Sequence, residues 1–240
     1  MMKKVDILAI GAHPDDVELG CGGTLMKQVA LGYTVAIVDL TQGELGTNGS
    51  AKTRKAEAEK ARKYCGALSR ENLKMADGFF ENNMANKLKI IKAIRKHRPD
   101  VILANAISDR HPDHGRAALL TRESCFLAGL IKIKTKVNGK SQTPWRPRKV
   151  FHYIQDHHRE PDLVVDISDF MDKKIELVQQ FDTQFHNPKK KNKPTPISSV
   201  AFLEGLRGRA IAHGRRIGVQ YGEGFTCSEY VGVEDLMQVL

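Results

Sequence analysis

The chain has 240 residues, 41% of them apolar and 28% charged, and a formal net charge of +10. That length supports a buried core within one α/β domain, and no apolar run reaches the roughly 20 residues a membrane-spanning helix needs. The excess charge sits on helical faces such as Lys52 to Lys63 and in the run from Lys189 to Lys193. No aromatic residues are interleaved there to stack bases, so the balance excludes nucleic acid as a partner and suits a small anionic substrate.

In chain order, Met1-Met2-Lys3-Lys4 has the look of an export signal, but Val5 to Ile10 is too short for one and is broken by Asp6. The segment predicts a first strand, Val5 to Gly11, in a cytoplasmic protein. Ala12-His13-Pro14-Asp15-Asp16 follows, then a helix opening at Gly23 to Leu31, with Gly32 at the left-handed position after it. Val35 to Leu40 is a second strand and Thr41 to Ala51 a polar, glycine-rich connection. A charged helix is predicted over Lys52 to Tyr64, a short strand over Asn72 to Met75, and an amphipathic helix over Met84 to His97, with Leu88, Ile91 and Ile94 at helical spacing.

Pro99-Asp100 leads into a strand at Val101 to Asn105. A second dense motif, Arg110-His111-Pro112-Asp113-His114-Gly115, opens a helix running to about Leu130. Ile131 to Arg148 is basic and turn-rich, a surface excursion. Lys149 to Ile154 and Leu163 to Ile167 are predicted strands. Phe170 to Phe185 and Ser199 to Arg215 are predicted helices, separated by a solvated lysine-rich loop. Strands alternating with helices predict a mostly parallel sheet with helices on both faces, in a single domain over residues 1–240. In such sheets ligands bind beyond the carboxyl ends of the strands, where the topology reverses. If the two motif-bearing strands are neighbours, His13, Asp16 and His114 converge on one ion.

Two imidazoles, a carboxylate and a spare carboxylate beside them are the parts of a catalytic divalent-metal site. His13 and Asp16 are separated by Pro14, which stiffens the turn between them. Asp15 and Asp16 are adjacent, so their side chains diverge: Asp16 serves as ligand and Asp15 faces the water. In the second motif His114 binds metal, and His111 stands off to stabilise an oxyanion or donate a proton. Asp113 orients His111 through its ring N–H. Zinc, one ion per subunit, is the default for two histidines and one aspartate, with iron(II) chemically acceptable.

Several rivals are weaker. Cys21 lies near enough to the first motif to supply a thiolate, although a small cysteine among glycines usually packs; the four cysteines show no CxxC pair and read as free thiols. His157-His158 has no chelating spacing and reads as a surface or pocket-rim pair. Gly20-Cys21-Gly22-Gly23, with Asp39 ending the second strand, lacks the G-x-G-x-x-G spacing of a dinucleotide site. Those glycines are expected to let the chain turn closely past the site. A non-catalytic metal- or nucleotide-binding module remains a further alternative.

The run Gly11-Ala12-His13-Pro14-Asp15-Asp16-Val17-Glu18-Leu19-Gly20-Cys21-Gly22-Gly23, joined later by Arg110 to Gly115, resembles the LmbE-like (PIG-L) family of zinc-dependent N-deacetylases. Leu40 to Gly49, followed by Arg54 and Glu57, and the segment Gly218 to Phe225 are similar to the branch that makes bacillithiol, which deacetylates N-acetyl-glucosaminyl malate. The resemblance implies a Rossmann-like fold and a homo-oligomer. It also implies His13, Asp16 and His114 as zinc ligands, Asp15 as general base, His111 with Asp113 in transition-state support, and Arg54 on substrate hydroxyls. Where some members carry a mobile tyrosine, this chain reads Ser199-Val200-Ala201-Phe202, which leaves Tyr153 or Tyr221 as stand-ins. Arg110 is a candidate partner for a malyl carboxylate, the alternative being a pair with Asp109 or Glu18. A related amidase acting on another N-acetylglucosaminyl compound or on a thiol S-conjugate would use the same chemistry in a different pocket.

Overall fold

Runs of aliphatic and β-branched residues build the middle of the sheet. Strands β1 (Ile7–Gly11) and β2 (Val35–Thr41) are buried along their whole length, as strands covered on both faces must be. The structure, a computed structural model, describes residues 4–239; Met1 to Lys3 and Leu240 lie outside the described residues. Helix α1 (Asp16–Ala30) follows β1, and α2 (Ala51–Cys65) connects β2 to β3 (Ser69–Met75). Helix α3 (Met84–His97), β4 (Val101–Ala104) and α4 (Pro112–Ala128) come next. A small hairpin, β5 (Lys136–Val137) with β6 (Lys140–Ser141), occupies the expected surface excursion. The chain then forms β7 (Lys149–Tyr153), β8 (Leu163–Asp166), α5 (Met171–Val178), α6 (Val200–Arg216) and β9 (Gly222–Thr226).

The seven-stranded sheet has the order β3-β2-β1-β4-β7-β9-β8. From β3 to β7 every pairing is parallel; β9 runs antiparallel to both β7 and β8. Alternate residues of β1 feed opposite cores, Ile7 and Ala9 one and Leu8 and Ile10 the other. The first core holds Leu25, Leu177, Phe181 and Leu206, and the second holds Ile90, Ile94 and Leu120. The chain winds from β1 outward to β3, then returns to β4 on the other side of β1. The carboxyl ends of β1 and β4 therefore flank the crevice where the topology reverses. Both histidine motifs open into it.

Three elements differ from the sequence reading. Helix α1 begins at Asp16, directly on the motif, and is kinked at Cys21 (φ −144°). Just past the kink the Glu223 carboxylate accepts the N–H groups of Gly23 and Thr24, at 3.0 and 2.6 Å, as a cap does at a helix start. The glycines there serve packing rather than a turn: a Cβ on Gly20 would lie 2.1 Å from the Tyr153 ring, and one on Gly23 2.8 Å from Ile167. Cys21 is a buried core residue, not a ligand. Strand β9 was not anticipated, since Gly222-Glu223-Gly224 has little strand propensity; pairing on both edges holds it in place. Helix α5 stops at Val178 instead of Phe185, and Phe181 and Phe185 pack into the core from the irregular segment beyond it. Among the described residues no helix is long and apolar enough to cross a membrane.

Candidate metal centre

The loop after β1 is pinned before it reaches its functional side chains. The Ala12 N–H donates to Asn105 Oδ1 at 2.8 Å, and its carbonyl accepts from both the amide and the hydroxyl of Thr41. His13 N donates to Asp16 Oδ2 at 2.9 Å. Asp15, between them, is held at φ +132°, a conformation that carries a strain of about 1–3 kcal/mol in a residue with a Cβ. The strain turns adjacent carboxylates apart. Asp15 meets the Arg54 guanidinium, with Nη2 to Oδ2 at 3.0 Å, while Asp16 faces the second motif.

The second motif is placed by the start of α4. His111 is the N-cap, its Nδ1 accepting the Asp113 N–H at 3.2 Å, and Pro112 takes the first helical position. One turn in, His114 Nε2 comes within 3.0 Å of Asp16 Oδ1. His13 Nδ1 lies 3.5 Å from Asp16 Oδ2, and the ring centroids of His13 and His114 are 5.7 Å apart. His111 is close to both rings, at 4.6 and 5.2 Å.

The outer nitrogens of the two imidazoles are each held by carboxylates. His114 Nδ1 is 2.5 Å from Asp109 Oδ2. His13 Nε2 is 2.9 Å from Asp77 Oδ1 and 3.4 Å from Asp113 Oδ2. Carboxylates behind histidines fix the tautomer that turns a lone pair inward. Asp16 is oriented in turn by Asn105 Nδ2 at 3.0 Å and Gln155 Nε2 at 3.1 Å. The ring nitrogens of His13, His111 and His114 come within 4.8 Å of one another, and the Asp16 carboxylate lies 3.5 Å from His13 Nδ1 and 3.0 Å from His114 Nε2, residue types that fit a divalent cation such as zinc or iron(II).

The electrostatics agree. Burial works against charge on His114, yet the Asp16 charge and the bonds to Asp109 and Asp16 raise it to about 9. Burial likewise opposes ionisation of Asp16, but the His114 charge and the His114 and His13 hydrogen bonds hold it well below the usual carboxylate range. The pocket draws positive charge to its centre. Burial lifts Asp15 to about 7 despite the Arg54 charge. His111 is pushed down by burial and by the charges of His13 and His114. With Nδ1 already accepting a backbone N–H, neutral His111 carries its proton at Nε2.

Some expected roles are corrected by these positions. The Asp113 carboxylate does not orient the His111 ring. It accepts from Gly78 N at 2.8 Å and Arg116 Nη1 at 2.6 Å and lies beside His13, because the first turn of α4 aims it toward the β3–α3 connection. Arg54 does line the cleft, buried against Asp15 and the Pro14 carbonyl, and among the described residues its Nε has no partner. Arg110 pairs with neither Asp109 nor Glu18, since His114 occupies the first and Arg70 the second; its Nε donates to Asp156 Oδ2 at 2.8 Å. Tyr153 is fully buried with its hydroxyl on the Ile10 carbonyl, and Tyr221 lies outside the cleft. Neither replaces a mobile tyrosine, and Phe202 lines the wall instead. The His157 amide, not its ring, contacts this region through Asp109 Oδ1. In the lysine-rich loop, Lys193 exchanges backbone bonds with the Asn48 side chain.

Asp77, Asn105, Asp109 and Gln155 were missed by the sequence reading. Asp109 carried a signal, standing immediately before the second motif. The other three are single residues that only the fold brings to the site.

The cleft holds about 230 Å³ of space that a water-sized sphere can enter. The histidines and Asp15 form one side, and Leu19, Ile197, Phe202 and Leu206 an apolar wall. Residues 8–125 match the profile of the family described as PIG-L, GlcNAc-PI de-N-acetylase. The conserved protein TT1542 from Thermus thermophilus is 34% identical, covering 96% of this chain and 98% of its own, with a TM-score of 0.84. The chain belongs to the PIG-L family. Diacetylchitobiose deacetylase of Thermococcus kodakarensis is 28% identical over 228 residues, 91% of this chain and 81% of that protein. At 21% identity, the 4-carboxy-2-hydroxymuconate hydratase GalB from Pseudomonas putida KT2440 covers 98% of this PIG-L chain and 100% of its own, with a TM-score of 0.75. That likeness shows the fold alone; function has to be argued from the site.

Proposed function

We propose that this chain is a metal-dependent N-deacetylase that removes acetyl from N-acetyl-glucosaminyl malate, with zinc as the resident metal. One observation carries the reading. Two loops about a hundred residues apart in the chain bring His13, Asp16 and His114 together, with a second carboxylate, Asp15, held beside them by Arg54.

His13 through Nδ1, Asp16, and His114 through Nε2 would hold the ion. The chemistry zinc supplies when bound is Lewis acidity, which brings the pKa of a water down to about 7. Asp15, lifted to about 7 by burial, is matched to take a proton from the attacking water near neutral pH. Arg54 keeps the Asp15 carboxylate aimed along the cleft. As the C–O bond forms, the acetyl oxygen gains negative charge, and His111 donates its Nε2 proton in a hydrogen bond to it. The C–N bond then breaks as the proton held by Asp15 passes to the amine, giving acetate and a free glucosamine. The apolar wall of Phe202, Leu206 and Ile197 suits a sugar face, and Arg110 at the mouth suits a carboxylate on the aglycone.

The likeness to a diacetylchitobiose deacetylase supports a second reading, a neutral N-acetylglucosaminyl sugar in the same cleft. Acetate release from N-acetyl-glucosaminyl malate, diacetylchitobiose, N-acetylglucosamine and a mercapturic S-conjugate separates these readings. The malate glycoside is expected to show the highest kcat/KM, by at least about tenfold. A preference for diacetylchitobiose favours the second reading, and no acetate from any of the four refutes both.

A further inference from the structure

Helix α6 lays Phe202, Leu206 and Arg209 along the cleft at spacings of four and three residues, one stripe of the helix. Two of the three are apolar. The third is a half-buried arginine with no hydrogen bond or ion pair to any described residue. The carboxylates around it are already engaged. Asp156 accepts from Arg110 Nε. Asp109 holds His114 and accepts the N–H groups of Asp156 and His157. Glu223, which shares a small side chamber with Arg209, is bound by Lys174 and caps the kinked helix α1. Removing a guanidinium from water without giving it an acceptor is unfavourable, and burial pushes the Arg209 pKa down. Arg209 lines the cleft, and among the described residues no group accepts a hydrogen bond from its five donors.

We propose that Arg209, with Arg110, forms the carboxylate-recognising end of the cleft and sets the preference for a substrate whose aglycone is a dicarboxylate. This rests on the deacetylase reading above and deepens it. Both arginines are grouped about Asp156: Arg110 is bonded to it, and its charge acts on Arg209. Arg110 spends Nε on that bond and keeps its terminal nitrogens for a ligand, and both guanidinium groups line the pocket within reach of the Asp156 charge. Guanidinium forks match carboxylate oxygens in pairs. The histidine cluster takes the acetamide, the apolar wall the sugar ring, and the arginine pair the acid.

The test compares zinc-loaded wild type with Arg209→Met and Arg209→Lys on N-acetyl-glucosaminyl malate and on the uncharged methyl N-acetylglucosaminide. The ratio of kcat/KM between the two substrates should fall about 10- to 100-fold in the methionine variant, mainly through KM, and recover in part with lysine. An equal loss on both substrates would overturn the assignment, since Arg209 would then serve the sugar or the fold. Binding of free L-malate, followed by ligand-observed NMR, should weaken at least about tenfold in Arg209→Met. Unchanged malate binding, or tighter competition by inorganic phosphate than by malate, would also refute it. If wild type releases acetate from neither glycoside, the deacetylase reading fails while the malate titration still decides the role of Arg209. Should the methionine variant not fold, Arg209→Lys carries the same comparison.

Discussion

Replacing Asp109 by asparagine tests the centre at the point where its geometry is most explicit. Asp109 Oδ1 accepts the N–H groups of Asp156 and His157, at 2.9 and 2.7 Å, while Oδ2 faces His114 Nδ1 at 2.5 Å. An asparagine that keeps the two backbone bonds must point its NH2 group at Nδ1. That nitrogen then has to accept, and the His114 proton moves to Nε2, the atom 3.0 Å from Asp16 that faces the proposed metal position. The opposite flip restores the tautomer but leaves two backbone donors facing an NH2 group. Either way metal affinity should fall 10- to 100-fold, about 1.4–2.7 kcal/mol. Asp77→Asn is the internal comparison. His13 Nε2 has a second carboxylate, Asp113 Oδ2, at 3.4 Å, so this variant should lose well under the tenfold scale. Competition of each metal-loaded protein against a chelator, read by metal analysis, gives the affinities. Asp109→Asn retaining metal within about threefold of wild type, or Asp77→Asn losing more, would refute the carboxylate–histidine reasoning.

Asp15→Asn should keep its metal content and lose about 10²–10⁴ in turnover, measured as acetate release; a near-normal rate would remove Asp15 from proton transfer. Gly20→Ala should destabilise the fold by about 1–3 kcal/mol or more, because the added methyl meets the fully buried Tyr153 ring. Gly205→Ala, with nothing within 4 Å on an exposed part of α6, should stabilise by about 0.5–1 kcal/mol. Urea midpoints check the two together, and a Gly20→Ala protein as stable as wild type would contradict the packing. Arg70→Met leaves Asp39 and Glu18 buried without their shared cation, and a loss of about 3–5 kcal/mol is expected in the same assay.

Strands β1 and β2 were legible because they are buried on both faces and read as continuous apolar runs, whereas the polar edge strand β3 was found only from Asn72 onward. Helix α3 was found at its observed bounds, Met84–His97, since its apolar residues recur at helical spacing; the Asn83 cap is seen only in the structure. Strand β9 and the short α5 were not legible. The first is two glycines and a glutamate held by neighbours on both edges, and the second ends where tertiary packing takes over Phe181 and Phe185. The candidate metal ligands stood out because they are dense in two short motifs. Asp77, Asn105 and Gln155 did not, being isolated polar residues of ordinary type.

The sequence by itself determined the chemistry available: two histidine–aspartate turns, each following a buried strand, and the residue types a divalent cation needs. It could do so because those signals are local, written in spacing and periodicity. Tertiary structure alone decided which side chain meets which. The adjacency of β1 and β4 brought His13 and His114 together, the strained backbone at Asp15 parted it from Asp16, and α6 brought Arg209 into the lining of the same cleft. Contacts of that kind join residues far apart in the chain, and no local pattern encodes them.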